Sequence, residues 1–205
     1  SWRDVMDNVD SCGFKSLSIV GLMSFLIGIV LAYQLGDQLR SYGANIYVVD
    51  VTGVGILREF SPLITAIIMA GRTSPSFAAL IGPISRLVMP RVVALIIVMP
   101  LLIVWADIFG ILGSMLMAKE SLGISFTVFL DRLHYHVPVI HYVLGLVKAP
   151  AFALVIAGIG CFQGLCVTNS AVSVGEKTTK AAVQAIFLII VLDAVFSILF
   201  SWMDV

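Results

Sequence analysis

Charged side chains are scarce in this 205-residue chain, at 12% of all residues against 60% hydrophobic. Soluble domains carry about 25% charged residues, so this chain has too few polar groups to cover a water-facing surface. Its mean hydropathy of +1.09 indicates that most of its surface meets lipid. The 12 Lys+Arg and 12 Asp+Glu cancel to a net charge of zero, which argues against nucleic acid as a partner because nucleic acid selects a basic surface.

Motifs for catalysis, disulfide bonding and metal binding are also missing. The chain has three cysteines with no metal or redox spacing: Cys12, Cys161 and Cys166. Three histidines lie around a proline in one predicted outer loop, with Asp131 as the one acidic residue at ligand spacing: His134, His136 and His141. The sequence has neither a complete phosphate-binding loop nor a G-x-S-x-G motif. We therefore expect no enzyme activity, no metal site and no cofactor in this chain.

Long stretches with few charges predict five membrane-spanning helices, because a charge at the bilayer centre is costly and about 20 apolar residues cross the bilayer. We place them at approximately 17–35, 51–71, 88–118, 139–166 and 179–203. Residues 1–15 mix aspartates with apolar side chains and predict an interfacial helix on the membrane surface. The predicted fold is an all-α membrane protein with one transmembrane domain over 1–205. Thr178 or Thr179 is the expected N-cap of the last helix.

Five spans place the two chain ends on opposite sides of the membrane. With the N-terminus in the cytoplasm, seven basic residues are cytoplasmic: Arg3, Lys15, Arg72, Arg86, Arg91, Lys177 and Lys180. Four then lie toward the other side: Arg40, Arg58, Lys119 and Arg132. Because cytoplasmic loops carry the excess of Lys and Arg, the sequence predicts a cytoplasmic N-terminus and a C-terminus on the opposite side.

Small residues recur at four-residue spacing on two predicted spans. Gly28, Ala32 and Gly36 share one face of the first span, and Gly160 and Gly164 share a face of the fourth. Small side chains at this spacing let two helix backbones approach closely. The spacing leaves open whether the neighbouring helix belongs to the same chain or to a second copy.

Three charges fall at a similar predicted depth inside the membrane. Counted at 1.5 Å per residue, Asp107, Lys148 and Asp193 lie near the same height in their spans, which predicts a buried ionic cluster. The lysine either neutralises an aspartate and locks the helices together, or takes part in a proton relay or substrate contact. The sequence leaves both open.

Arg58 and Glu59 form a second polar feature, inside the second span and just before Ser61 and Pro62. Successive helical residues point about 100° apart, and proline loosens the helix that precedes it. The two charged side chains either pair with neighbouring helices or line a wet cavity, where the guanidinium could hold a lipid phosphate.

An ordered series of motifs resembles the MlaE/YrbE family, the permease subunits of MCE-type lipid ABC transporters. The signature L-R-E-[LF]-x-P followed by A-G-R-[ST] is matched by Leu57–Pro62 and Ala70–Thr73. Further matches follow in the family's order: Val88–Arg91, Lys148–Pro150, Gln163–Gly164, Val174–Gly175 and Thr178–Thr179. The resemblance extends from about Leu17 to Phe200.

The resemblance implies a permease of the bacterial inner membrane, with a cytoplasmic N-terminus and a periplasmic C-terminus. Its expected partners are a second copy of the chain, a cytoplasmic ABC ATPase that binds ATP and Mg²⁺, a periplasmic MCE-domain protein and phospholipid. Arg58, Glu59 and Pro62 become candidates for the lipid cavity, and Arg72, Arg86 and Arg91 for the side coupled to the ATPase. The alternative function is a proton-coupled carrier that uses Asp107, Lys148 and Asp193.

The sequence departs from the family between the second and third spans. Members carry a cytoplasmic coupling helix there, whereas Gly82 runs directly into Pro83. We expect the natural chain to carry an additional segment at this point, and also residues ahead of Ser1; an intact mass of 22.1 kDa would contradict this expectation.

Overall fold

Helices form all the regular structure in the described part of the chain. The computed structural model describes residues 2–80, 88–168 and 170–205. Its α-helices are α1 (Trp2–Cys12), α2 (Leu17–Ser41), α3 (Tyr47–Gly55), α4 (Ser61–Leu80), α5 (Val88–Leu122), α6 (Phe126–His136), α7 (Val139–Leu165) and α8 (Ala171–Trp202). A 3-10 turn at Phe14–Ser16 leads into α2, and a π-helical turn at Ile56–Phe60 joins α3 to α4. The all-α prediction is confirmed.

Five helical segments of the described chain are long and apolar enough to cross a membrane, as predicted. They are Trp2–Ser41, Tyr47–Ala79, Val88–Leu122, Val139–Leu165 and Ala171–Trp202. The helices extend beyond the predicted spans at most ends. Charges mark where a chain leaves the hydrocarbon, whereas the backbone hydrogen bonds of the helix continue into the interfacial region.

The last helix begins at a different residue from the one predicted. The Ser170 hydroxyl caps α8 by accepting a hydrogen bond from the Ser173 backbone N–H at 3.0 Å. Thr178 and Thr179 lie within the helix, where both hydroxyls donate to the Gly175 carbonyl oxygen. The prediction of a threonine cap is therefore wrong, because Thr hydroxyls can also bond to carbonyls one turn back inside a helix.

The chain divides into two compact units, and the first comprises residues 1–17, 65–102 and 147–205. In this unit α4 and α7 pack closely around Gly160, where an added Cβ would lie only 2.6 Å from the Ser74 carbonyl oxygen. The Ser74 hydroxyl donates to the Ile156 carbonyl oxygen at 3.0 Å. Phe152 packs edge-on against Phe196, with 6.2 Å between ring centroids. Small side chains thus permit the close helix contact that the sequence predicts for this face.

The second unit comprises residues 18–64 and 103–146, and its tightest contact joins α2 to α5. Gly28, Ala32 and Gly36 are all buried along one face of α2. A Cβ on Gly28 would collide with the Gly110 carbonyl oxygen, and the Ser114 hydroxyl lies 3.2 Å from the Gly28 carbonyl oxygen. The small-residue face of the first span therefore packs against a helix of the same chain.

The two shorter helices α3 and α6 contact each other in the second unit. Six apolar side chains form a buried cluster there: Val48, Val49, Met115, Ala118, Ile124 and Phe129. The Ser125 hydroxyl caps α6 by accepting from the Val128 N–H. Arg132 makes two hydrogen bonds to the Asp50 carboxylate, at 2.9 and 2.7 Å. These bonds raise the pKa of Arg132 above its usual value, since they favour the charged guanidinium.

Candidate functional site

The π-helical turn at Ile56–Phe60 places Arg58 and Glu59 directly ahead of Pro62. Proline lacks a backbone N–H, so the carbonyl one turn earlier loses its usual i−4 partner. A π-helical turn accommodates this loss with wider i−5 bonds, and such turns occur frequently at functional sites. The loosened helix predicted before Pro62 takes this form.

Arg58 is held by polar groups on both sides. Its Nη1 lies 3.4 Å from the His141 Nδ1, and its Nε lies 3.6 Å from Oε1 of Glu59. The Arg58 side chain is 16% exposed and that of Glu59 is 32% exposed. A guanidinium has five N–H donors and binds phosphate in a bidentate manner. The structure therefore holds an oriented, partly exposed guanidinium within a predicted membrane span.

Gly145 of α7 packs against the π-helical turn in the second unit. A Cβ at this position would collide with the Leu57 carbonyl oxygen and lie 3.1 Å from Cγ of Pro62. Pro62 itself is buried. Pro62 thus helps to shape the turn, and its place in a lipid cavity stays a prediction.

Two residues of the predicted ionic cluster, Lys148 and Asp193, form a buried salt bridge. In the first unit, Nζ of Lys148 donates to Oδ1 of Asp193 at 2.9 Å, and the lysine side chain is fully buried. The Phe200 ring centroid lies 5.9 Å from the same Nζ. Asp107 belongs to the second unit, where both of its carboxyl oxygens are buried and Ser61 is its polar neighbour. The salt bridge joins two of the three residues of the predicted cluster, and the membership of Asp107 stays a prediction.

Asp107 is 4% exposed and lies beside Ser61 in the second unit. The Ser24 hydroxyl, also in this unit, is buried without a hydrogen-bond partner in the described part of the chain. A buried carboxyl group is costly unless a polar group bonds to it. The Ser61 hydroxyl is the polar group beside Asp107 that can do so.

Two of the three arginines predicted on the ATPase side lie in the first unit. Nη1 of Arg72 donates to the Ser16 hydroxyl at 2.8 Å and to the Lys15 carbonyl oxygen at 3.1 Å. Arg91 donates to the Ser76 hydroxyl. Arg86 and the Gly82–Pro83 junction lie outside the described residues.

His141 is the contributor to the site that sequence analysis misses. It is treated there as one of three loop histidines, whereas the structure places it in the first turn of α7 next to Arg58. No local spacing could have revealed a contact between residues 83 positions apart. Among the described residues, no group of three His, Cys, Asp or Glu side chains could hold a metal ion.

Comparison with known proteins identifies one family and several related permeases. The family described as Permease MlaE matches residues 5–199. A probable ABC transporter permease protein of Rickettsia felis is 32% identical over 205 residues, covering 92% of this chain and 79% of the relative. A Synechocystis protein with the same description is 29% identical, covering 92% and 78%. The chloroplastic protein TRIGALACTOSYLDIACYLGLYCEROL 1 of Arabidopsis thaliana is 30% identical, covering 97% and 62%.

Five membrane-spanning helices and these relatives define the class: a multi-pass permease subunit of an ABC transporter. Membership of this class implies a transport role and an ATPase partner. The chain belongs to the MlaE permease family, which confirms the resemblance carried by the Leu57–Pro62 and Ala70–Thr73 motifs.

Proposed function

We propose that this chain is the membrane subunit of an ATP-driven phospholipid transporter in the bacterial inner membrane. It acts as a homodimer, with a cytoplasmic ATPase on each copy and an MCE-domain protein on the periplasmic side. Its N-terminus is cytoplasmic and its C-terminus periplasmic. Family membership supports this proposal, and the Arabidopsis relative is named after a glycolipid, trigalactosyldiacylglycerol.

The Arg58 arrangement is the observation that carries the lipid assignment. A transporter of phospholipid needs a cation that recognises phosphate within an otherwise apolar path, and a guanidinium meets that need. Glu59 and His141 flank Arg58 and limit its rotation. In the proposed mechanism, an apolar cavity between two copies opens to the inner membrane and takes up a lipid. ATP-driven closure at the cytoplasmic side then moves the lipid toward the MCE protein.

The alignments also bear on how the ATPase is coupled. The alignment with the Rickettsia felis relative runs over 205 residues yet uses 92% of this chain, so some residues of the relative have no counterpart here. This agrees with the expectation of an additional segment, which the order of the motifs puts at Gly82–Pro83. We infer that the segment contacts the ATPase together with the surface near Arg72, Arg86 and Arg91.

Co-purification and lipid transfer test the proposal directly. Expressed together with its ATPase and MCE partners, the tagged chain is expected to retain both partners and stoichiometric phospholipid. Reconstituted in vesicles, the complex should move fluorescent phospholipid to an acceptor only when ATP is supplied. A complex with an ATPase that cannot hydrolyse ATP is the control. Transfer that persists without ATP but stops when a proton gradient is collapsed would instead favour the carrier that uses Asp107, Lys148 and Asp193.

Arg58→Ala should lower ATP-dependent lipid transfer at least tenfold while the complex still assembles. One charge-assisted hydrogen bond contributes about 1.5–3 kcal/mol, and each 1.4 kcal/mol changes a rate about tenfold. Arg58→Lys keeps the charge but loses the bidentate geometry, so we expect partial activity. Arg40→Ala, which removes an exposed arginine of the same unit that donates to the Ser121 carbonyl oxygen, is the matched control. Normal transfer by an assembled Arg58→Ala complex would contradict a phosphate-binding role.

A further inference from the structure

A basic pocket in the first unit is separate from the Arg58 site. Its volume is about 150 Å³, and its walls come from the end of α1, the 3-10 turn, α4 and α5. Seven residues line it: Ser11, Cys12, Lys15, Arg72, Thr73, Ser76 and Arg91. We call this set the basic pocket.

The two arginines of the basic pocket are held in place by short polar contacts. Arg72 is fixed by the Ser16 hydroxyl and the Lys15 carbonyl oxygen, and Arg91 by the Ser76 hydroxyl. These contacts restrain two long side chains before any ligand arrives, which lowers the entropy cost of binding. The pocket is therefore preorganised for an anion.

The lining is electrostatically one-sided. Lys15, Arg72 and Arg91 supply three cations, and none of the described residues that line the pocket is acidic. The hydroxyls of Ser11, Thr73 and Ser76 add further hydrogen-bond donors. A water molecule occupies about 30 Å³ in the liquid, so the pocket has room for a phosphate group and a few waters.

The surroundings of the basic pocket favour a lipid as the source of that phosphate. The segment that forms one wall also exposes large apolar side chains: Trp2 is 72% exposed, Met6 50% and Phe14 71%. Lys15 and Arg72 are themselves exposed. Apolar side chains next to exposed cations are typical of a helix that lies at the headgroup level of a membrane.

We propose that the basic pocket binds the phosphate of an anionic lipid headgroup at the membrane surface. The basic pocket shares Arg72 and Arg91 with the surface proposed above to face the ATPase, but its lipid binding needs only a membrane and not an ATPase. Lipid headgroups and soluble phosphate present the same anion chemistry, so the experiment compares the two sources. Carboxylates of the ATPase are the competing ligand.

Cys12 provides a reporter inside the basic pocket, because its thiol is half-buried there, whereas Cys166 is exposed and lies elsewhere. The alkylation rate of each cysteine by N-ethylmaleimide is measured by peptide mass spectrometry on the full chain in detergent micelles. The micelles contain phosphatidylglycerol, diacylglycerol with the same acyl chains, or inorganic phosphate. We expect phosphatidylglycerol to slow Cys12 alkylation about tenfold relative to Cys166, which corresponds to about 1.4 kcal/mol of binding, and diacylglycerol to have no effect.

The other outcomes are decisive as well. Equal protection by inorganic phosphate at the same concentration would confirm a phosphate site but overturn the lipid as its source. Equal protection by diacylglycerol, or no protection by any addition, would overturn the site. Protection of Cys12 that requires the ATPase and not the lipid would assign the pocket to the protein partner instead.

Variants separate phosphate binding from a general effect on folding. Arg91→Gln should abolish the protection by phosphatidylglycerol, and Arg91→Lys should restore part of it. Lys15→Gln removes an exposed charge and should weaken protection several-fold even if Arg91→Gln does not fold. Arg3→Gln removes an exposed cation of α1 that does not line the pocket, and it is the matched control. Protection in Lys15→Gln and Arg91→Lys that equals the protection in the unaltered protein would contradict the proposal.

Discussion

Lys148→Met is expected to destabilise the protein by about 3–5 kcal/mol, because the change leaves the carboxylate of Asp193 without its ionic partner. Removing one member of a buried ion pair costs this much in other proteins, since the remaining charge stays desolvated. Lys148 is fully buried and its Nζ lies 2.9 Å from Asp193. The measurement is the free energy of unfolding in mixed micelles of detergent and sodium dodecyl sulfate.

Two double variants show whether the ion pair itself is responsible. Lys148→Met with Asp193→Leu removes both charges and should recover most of the lost stability. Lys148→Asp with Asp193→Lys keeps the pair reversed and should also be more stable than either single change. Lys180→Met, which breaks the exposed pair with Glu176, is the control and should have little effect. A Lys148→Met protein as stable as the unaltered one would show that the pair does not hold the helices together.

Gly28→Leu should prevent correct packing of α2 on α5 and lower the yield of folded protein sharply. An added Cβ would collide with the Gly110 carbonyl oxygen, and a backbone atom cannot move aside without separating the helices. Overpacking costs about 1–3 kcal/mol where side chains can adjust, so we expect at least about 3 kcal/mol here. Size-exclusion chromatography and unfolding in detergent measure the effect.

The control for Gly28→Leu is Gly158→Ala in α7, where an added Cβ would meet nothing within 4 Å. Alanine is favoured over glycine inside a helix by about 1 kcal/mol, so this variant should fold at least as well as the unaltered protein. A Gly28→Leu protein that elutes and unfolds normally would contradict the tight contact between α2 and α5.

Pattern arguments succeed for features that depend on position along one helix. The five spans follow from composition, since about 20 apolar residues suffice to cross the bilayer. The weakened helix before Pro62 follows from the missing N–H of proline. Pairing of Lys148 with an aspartate follows from the high cost of an unpaired charge in the membrane.

Other features depend on which residues of different helices face each other, and the sequence pattern of a single helix does not give this information. Asp107 and Asp193 have similar predicted depths, yet Lys148 bonds to Asp193, whereas Ser61 is the polar neighbour of Asp107. His141 becomes the neighbour of Arg58 although 83 residues separate them. The N-cap of α8 at Ser170 also could not be predicted, because several Ser and Thr residues near the start of this helix are equally good N-cap candidates.

The sequence by itself determined the membrane class, the number of spans and the family, because scarcity of charge and ordered motifs are properties of the chain alone. Only the tertiary structure decided which small residues meet which backbone, which aspartate pairs with Lys148, and that Lys15, Arg72 and Arg91 line one pocket. The physical reason is that hydrophobic burial sets only the length of each span and the depth of a residue in the membrane. Hydrogen bonds and salt bridges need particular atoms within about 3 Å of each other.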